Sequence, residues 1–305
     1  MAAEFDRSVG PTARMSTRSG WAALLSACRP RQWVKNLLVF AAPGAAGMLS
    51  HSRVLLLAAV GGVVFCLVSS GTYLINDVRD QESDRRHPRK RFRPVAAGVV
   101  SPRMAIVSAV VLIAAGLAIA VMVSLPLAAA VAGYLLVTGC YTIWLREVAI
   151  FDAAAISAGF ILRAVAGGAA TGIHLSEWFL IVTSFSALFV VAGKRASELA
   201  AAGGSERRGA LVEYSPSYLR FMWTMAATVA IGAYCIWAFA RAGADEVPWM
   251  EFSIVPFVLG VMRYALLVDQ DSGEAPEQVI SEDRPLQLIA LAWVAVFALG
   301  AYGVG

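Results

Sequence analysis

Long apolar runs separated by short polar breaks dominate the chain. A window of about 20 residues, the length of helix that crosses a bilayer, finds about nine of them. They lie near 33–50, 54–75, 104–123, 127–145, 149–171, 177–193, 217–240, 250–268 and 286–304. None shows the period-2 alternation of a half-buried strand. The pattern therefore predicts an all-α, polytopic membrane protein, with about nine transmembrane helices around a central cavity open to the cytosolic face. The fifth and sixth runs are the hardest to separate, and Gly172-Ile173-His174-Leu175-Ser176-Glu177 is the break between them. Residues 1–20 read as a flexible tail, and 21–305 as one helical catalytic unit. Within 21–33, Trp21, Leu24, Leu25 and Trp33 suit a short interfacial helix. Leu25-Ser26-Ala27-Cys28 also resembles a lipoprotein cleavage site, but its apolar stretch is short and Arg29, Arg31 and Lys35 follow at once.

Composition agrees with lipid as the solvent. Hydrophobic residues make up 59% of the chain, charged residues 15%, and mean hydropathy is +0.68. A soluble domain carries about a quarter charged residues, so a soluble two-domain enzyme is disfavoured. Cys28, Cys66, Cys140 and Cys235 lack metal-ligand spacing and give no disulfide framework, and His51, His87 and His174 make no metal triad. Basic residues set the orientation. With the N-terminus inside, the segment before the first span, 76–103, Arg146, 194–216, Arg220 and Arg284 all fall on the cytosolic side. Only Arg53 and Arg241 fall on the other. An even number of spans would put later basic loops on the wrong side.

Three polar constellations gather on that face. The first closes the second run, Tyr73-Leu74-Ile75-Asn76-Asp77-Val78-Arg79-Asp80-Gln81-Glu82-Ser83-Asp84. On a continuing helix Asp77, Asp80 and Asp84 share one stripe with Tyr73. Stacked carboxylates repel unless a cation sits among them, and hard oxygen donors suit Mg²⁺ bridging to phosphate. The bland alternative is a solvated helix end paired with Arg79, Arg85 and Arg86. The second constellation is Arg85-Arg86-His87-Pro88-Arg89-Lys90-Arg91-Phe92-Arg93. Such a run serves as a topology signal, an anionic-lipid contact or a grip on phosphate oxygens. Nucleic acid is disfavoured, because the loop is short, tethered at both ends and interleaved with carboxylates. The third is Lys194-Arg195-Ala196-Ser197-Glu198, which reads either as a helix-end ion pair or as a second wall of a polar pocket. Asp152 and Arg163, three helical turns apart, share a face of the fifth run, with Asp152 near enough to the surface to partner Arg146.

At these residues the chain resembles the UbiA-type intramembrane prenyltransferases. Asn76-Asp77-Val78-Arg79-Asp80 with Asp84 looks like that family's first Asp-rich motif, and Tyr141 and Arg146 are similar to its tyrosine and basic residue after the fourth span. The resemblance covers nearly the whole chain. It implies Mg²⁺ on Asp77, Asp80 and Asp84, supported by Asn76. The chain departs from the family where a second Asp-rich motif is usual, and Gly193-Lys194-Arg195-Ala196-Ser197-Glu198 stands there instead. With Arg29-Pro30-Arg31-Gln32-Trp33-Val34-Lys35-Asn36, this looks like the decaprenyl-phosphate phosphoribosyltransferase branch. That branch implies 5-phosphoribosyl diphosphate and polyprenyl (decaprenyl) phosphate as substrates, cell-wall arabinan precursor synthesis, and a bacterial plasma-membrane location among membrane lipid. It leaves a homo-oligomer open. Three anionic groups in one pocket call for more Lys and Arg and fewer carboxylates, which is the direction of the departure. Arg85, Lys90, Arg91 and Arg93 are then expected near the 5-phosphate. Lys35, Asn36, Asn76, Tyr141, Arg146, Lys194, Arg195 and Glu198 complete the expected substrate contacts. The other readings are aromatic prenyl transfer in the same fold and a lipid-phosphate or anion transporter.

Overall fold

Caps and prolines divide the apolar stretches where the helices must turn. The computed structural model describes residues 20–201, 209–241, 247–270 and 282–303. The tail expected over 1–20 therefore lies, apart from Gly20, outside the described residues, as do parts of the cytosolic loops expected in 194–216 and 269–284. A short helix α1 (Gly20–Ala27) precedes a 3₁₀ segment (Pro30–Phe40) and α2 (Ala41–Ala45). Then come α3 (Ser52–Arg79), α4 (Gln81–Arg86), α5 (Pro102–Val123) and α6 (Leu125–Ile143). They are followed by α7 (Phe151–Thr171), α8 (Glu177–Ala201), α9 (Pro216–Arg241), α10 (Trp249–Phe252), α11 (Ile254–Asp269) and α12 (Arg284–Ala301). The Ser101 and Ser124 hydroxyls and the Asp283 carboxylate accept from Met104, Leu127 and Leu286 backbone N–H groups, each next to a proline in the first turn. Gly172, at φ 72°, ends α7 in the left-handed conformation that glycine adopts without steric cost.

Eight helices among the described residues are long and apolar enough to cross a membrane, α10 and α11 together making one of them. The chain is a multi-pass membrane protein. The expected first span, 33–50, is the exception. It is not a regular α-helix but the 3₁₀ segment followed by α2. At about 2.0 Å per 3₁₀ residue and 1.5 Å per α residue, the stretch still extends about 30 Å. Its start meets the polar end of the bundle, where Arg29 pairs with Asp77. Its finish meets the opposite end: Arg241 Nη1 donates to the Ala45 carbonyl at 2.8 Å, and the Leu49 N–H to the Tyr302 hydroxyl at 3.3 Å. The reason for the tighter winding lies in its side chains. Trp33, Asn36 and Val39 recur every three residues, the 3₁₀ period, and all three turn inward. Trp33 Nε1 donates to Ser70 Oγ at 3.1 Å, and Val39 is fully buried against α7. A Cβ at Gly167 would lie 1.9 Å from the Val39 carbonyl oxygen, so only glycine lets that backbone seat there.

The outer surface carries exposed Val107, Val111, Met122, Leu125 and Leu136, as lipid requires. Helix α7 is the most buried span. Its small residues let α3, α6 and the 3₁₀ segment close around Phe65, Val68, Val131, Tyr134 and Ala166. That packing brings the polar ends of α3, α6, α7 and α8 to one end of the bundle.

Candidate functional site

Helix α3 ends at Arg79, Asp80 forms the joint, and α4 resumes at Gln81. The winding is nearly continuous: the Asp80 N–H donates to the Asn76 carbonyl at 2.9 Å and the Asp84 N–H to the Asp80 carbonyl at 2.8 Å. The expected stripe is thus present in the backbone, but the three carboxylates do not converge. Asp77 and Asp84 are buried, and Arg93 Nη1 donates to both, at 3.4 Å and 2.7 Å. Asp80 instead takes Arg146 Nη1 on its two oxygens, at 3.0 and 3.2 Å. Burial lowers the Arg146 pKa, but the hydrogen bonds and charge of Asp80, with Glu147, more than reverse this and raise it. Asn76 faces α6, its Oδ1 accepting from Thr142 Oγ1 at 2.7 Å.

Arg29, a residue absent from the expected site, completes the first cluster. Its guanidinium donates to Asp77 and lies over the Tyr73 ring at 4.9 Å. Its backbone is left-handed, φ 56°, ψ 60°, just before Pro30, which costs a non-glycine residue about 1–2 kcal/mol. The sequence marks Arg29 as one of the basic residues before the first run and as part of the branch-like stretch, but gives it no partner, since 48 positions separate it from Asp77. Its immediate proline, which fixes the entry into the 3₁₀ segment, is the only local signal of a special conformation. A cavity of about 280 Å³ opens beside the pair, lined by Arg29, Asp77, Arg89, Phe92 and Arg93 with Ser26.

Gln81 and Arg85 pin the loop that carries Arg93, donating to the Val95 and Ala96 carbonyls at 3.1 Å each. Arg85 thus braces the loop. Lys90 and Arg91 are exposed, and Arg91 covers the Phe92 ring at 4.8 Å. Of the expected basic set, Arg93 alone is ion-paired with the buried carboxylates.

The second cluster joins α6, α7 and α8. Arg195 donates two 2.7 Å bonds to Asp152, one each from Nε and Nη2. It also pairs with Glu198 and reaches the Tyr141 hydroxyl at 3.4 Å. Lys194 Nζ is 3.7 Å from Glu198. Asp152, only a candidate partner for Arg146, is therefore the partner of Arg195, because Arg146 turns to Asp80. A strained turn presents it. Ile150 has φ 71° and ψ −54°, and the Phe151 N–H bonds the Ala149 carbonyl at 2.8 Å, closing a γ-turn. The buried Tyr214 hydroxyl accepts the Ile150 N–H at 2.8 Å. Burial pushes the Tyr214 phenol up, and that backbone donor partly offsets it. The two clusters flank one point on α6, where Tyr141 faces Arg195 and the next residue, Thr142, faces Asn76.

Asn36 and Arg163 lie elsewhere, in the core. Arg163 donates to Asn36 Oδ1 at 2.8 Å, the Gly159 carbonyl at 2.6 Å and the Tyr134 hydroxyl at 3.2 Å. Asn36 Nδ2 points at Cys66 Sγ, 3.2 Å away. Neighbouring Lys35 is half-buried.

The donor set can be tested against a divalent ion. Among the described residues no group of three or more His, Cys, Asp or Glu side chains is placed to hold a metal. Two buried carboxylates do flank one cationic nitrogen, and a hard ion that keeps water and substrate phosphate as its other ligands needs no more protein than that. The set fits Mg²⁺, which Asp77 and Asp84 would hold.

The sequence profile of the UbiA prenyltransferase family matches residues 37–291. A decaprenyl-phosphate phosphoribosyltransferase of Corynebacterium glutamicum is 44% identical over 287 residues, covering 92% of this chain and 86% of the relative. One of Mycobacterium tuberculosis is 45% identical over 289 residues, covering 92% and 95%. A UbiA homolog from Archaeoglobus fulgidus, solved bound to DMAPP and Mg²⁺, superposes with a TM-score of 0.71 at 15% identity, covering 93% of this chain and all of that one. The fold, the aspartate motif closing α3 and these relatives agree: the chain belongs to the UbiA prenyltransferase family.

Proposed function

We propose that this protein moves 5-phosphoribose from 5-phosphoribosyl diphosphate to a polyprenyl phosphate, releasing diphosphate. The observation that carries the reading is the second cluster. A prenyltransferase that binds one diphosphate through two metal-bearing acidic walls needs carboxylates there. This chain places Arg195 and Lys194 in that position, with Asp152 and Glu198 bonded to them. The donor brings a diphosphate and a separate 5-phosphate, and the acceptor brings another phosphate. Arg29, Arg89 and Arg93 around one cavity, and Lys194 and Arg195 across α6, supply cationic walls for such a load. The names of the relatives support the same substrates.

Asp77 and Asp84 would hold Mg²⁺, which supplies charge neutralisation to the departing diphosphate. Arg29 and Arg93 add charge-assisted hydrogen bonds where negative charge grows on the leaving group. An acceptor phosphate oxygen forms the new bond to ribose C1 as the C1–oxygen bond to diphosphate breaks. A phosphate anion needs no general base. The remaining task of the residues is alignment of the attacking oxygen with C1. The bilayer delivers the polyprenyl tail, and the basic end of the bundle faces the cytosol of a bacterial plasma membrane.

The test is purified protein with Mg²⁺, 5-phosphoribosyl diphosphate and decaprenyl phosphate. Diphosphate release that requires both substrates is expected, with a phosphoribosylated lipid as co-product. Turnover with a polyprenyl diphosphate and an aromatic acceptor, and none with the phosphoribosyl donor, would overturn the reading.

A further inference from the structure

We propose that Arg93 is a mobile stand-in for the divalent ion, exchanging with it and moving into the adjoining cavity to grip substrate phosphate. This rests on the reading of Asp77 and Asp84 as metal ligands. Both carboxylates are buried, and one nitrogen, Arg93 Nη1, bridges the pair at 3.4 and 2.7 Å, with Arg29 on Asp77 alone. Two buried anions without a cation between them are costly, so the metal-free site needs that guanidinium. A divalent ion bound to the same oxygens would repel it at contact distance. The two cations therefore exclude each other.

The surroundings provide the exchange route. Arg93 follows a 3₁₀ turn on a loop held at Val95 and Ala96, so its backbone is fixed while its long side chain is partly exposed. The cavity beside it is lined by Arg29, Arg89 and Arg93 itself. Arg29 differs, because its special backbone conformation and its seat over Tyr73 fix it on Asp77. Expelled by the ion, Arg93 carries its charge into the space that phosphate fills. Metal and phosphate binding thus assist each other, and by linkage the assistance is reciprocal.

The experiment uses the full-length protein in detergent, with Mn²⁺ binding followed by electron paramagnetic resonance and inorganic pyrophosphate binding by calorimetry at saturating Mn²⁺. Asp77→Asn and Asp84→Asn test the underlying reading, since both should abolish tight Mn²⁺ binding. In Arg93→Gln the competitor is gone, so Mn²⁺ should bind at least tenfold tighter without substrate. Pyrophosphate should then bind at least tenfold weaker, because a charged donor is lost. Arg93→Lys keeps a competing cation and should leave Mn²⁺ affinity near the parent value, which controls for folding. Equal or weaker Mn²⁺ binding in Arg93→Gln overturns the exchange. Tighter Mn²⁺ with unchanged pyrophosphate overturns the phosphate grip. Parent protein that binds Mn²⁺ no better than the two Asn variants, with Arg93→Gln equally weak, removes the reading and the proposal together.

Discussion

Asp77 is bonded to two guanidiniums and lines the cavity, whereas Asp80 turns outward to Arg146. Asp77→Asn should therefore cost the most turnover of the three motif aspartates, at least a hundredfold in kcat/KM, with the protein still folded and inserted. A steady-state assay beside size-exclusion of the detergent-solubilised variant checks this. Lys194 and Arg195, adjacent in sequence, share Glu198 but differ in burial. Lys194 is half-exposed and only 3.7 Å from Glu198, so Lys194→Met tests phosphate binding cleanly. A lost phosphate contact of roughly 1.5–3 kcal/mol predicts a tenfold to hundredfold fall, while a mere surface pair predicts well under 1 kcal/mol. Arg195→Met should also destabilise the fold, by about 3–5 kcal/mol, because it leaves the buried Asp152 carboxylate unpaired. Arg195→Lys should recover little, since one ammonium cannot replace the two-point contact. The Met variant's thermal midpoint in detergent should fall well below that of Lys194→Met.

At the scale of elements, the 3₁₀ leg is the unusual piece. Runs of this winding rarely exceed three or four residues, yet this one has 11. It is held by what it packs on: Ser70 for Trp33, Arg163 for Asn36, and the bare backbone at Gly167 for Val39. Gly167→Ala has no room for its methyl group against the Val39 carbonyl. Overpacking of that kind costs about 1–3 kcal/mol or more, so a clear drop in thermal midpoint is expected. An unchanged midpoint would mean that the leg is not seated there. The γ-turn before α7 offers the reverse case. Ile150 holds a conformation that β-branched residues avoid, and Tyr214 supplies the compensating bond. Tyr214→Phe should lower stability, and adding Ile150→Gly should restore part of the loss, because glycine adopts positive φ without strain. Additive losses in the double variant would argue against that coupling.

For the whole molecule, one end is polar and basic and the other is closed by Arg241 on Ala45 and Tyr302 on Leu49. The asymmetry predicts that the basic end faces the cytosol. With Cys28, Cys66, Cys140 and Cys235 removed, Arg53→Cys should react with a membrane-impermeant maleimide on intact cells. Arg91→Cys should react only after lysis, and the opposite labelling would invert the proposed topology.

Hydropathy alone determined the all-helical membrane class and the positions of eight spans, since exclusion from water is a property of residue runs and needs no partner. The same holds for the Ser101, Ser124 and Asp283 caps, which act within a single turn. The aspartate motif was legible too, as a spacing on one helix. What the tertiary structure decided were pairings between distant segments. Nothing local tells Arg29 to meet Asp77, or Asp152 to choose Arg195 over Arg146, because such choices depend on which helix ends the bundle brings together. Nor could periodicity separate 3₁₀ from α over Pro30–Phe40. Both windings are helical and apolar, and the tighter one is favoured only once α3 and α7 offer seats three residues apart.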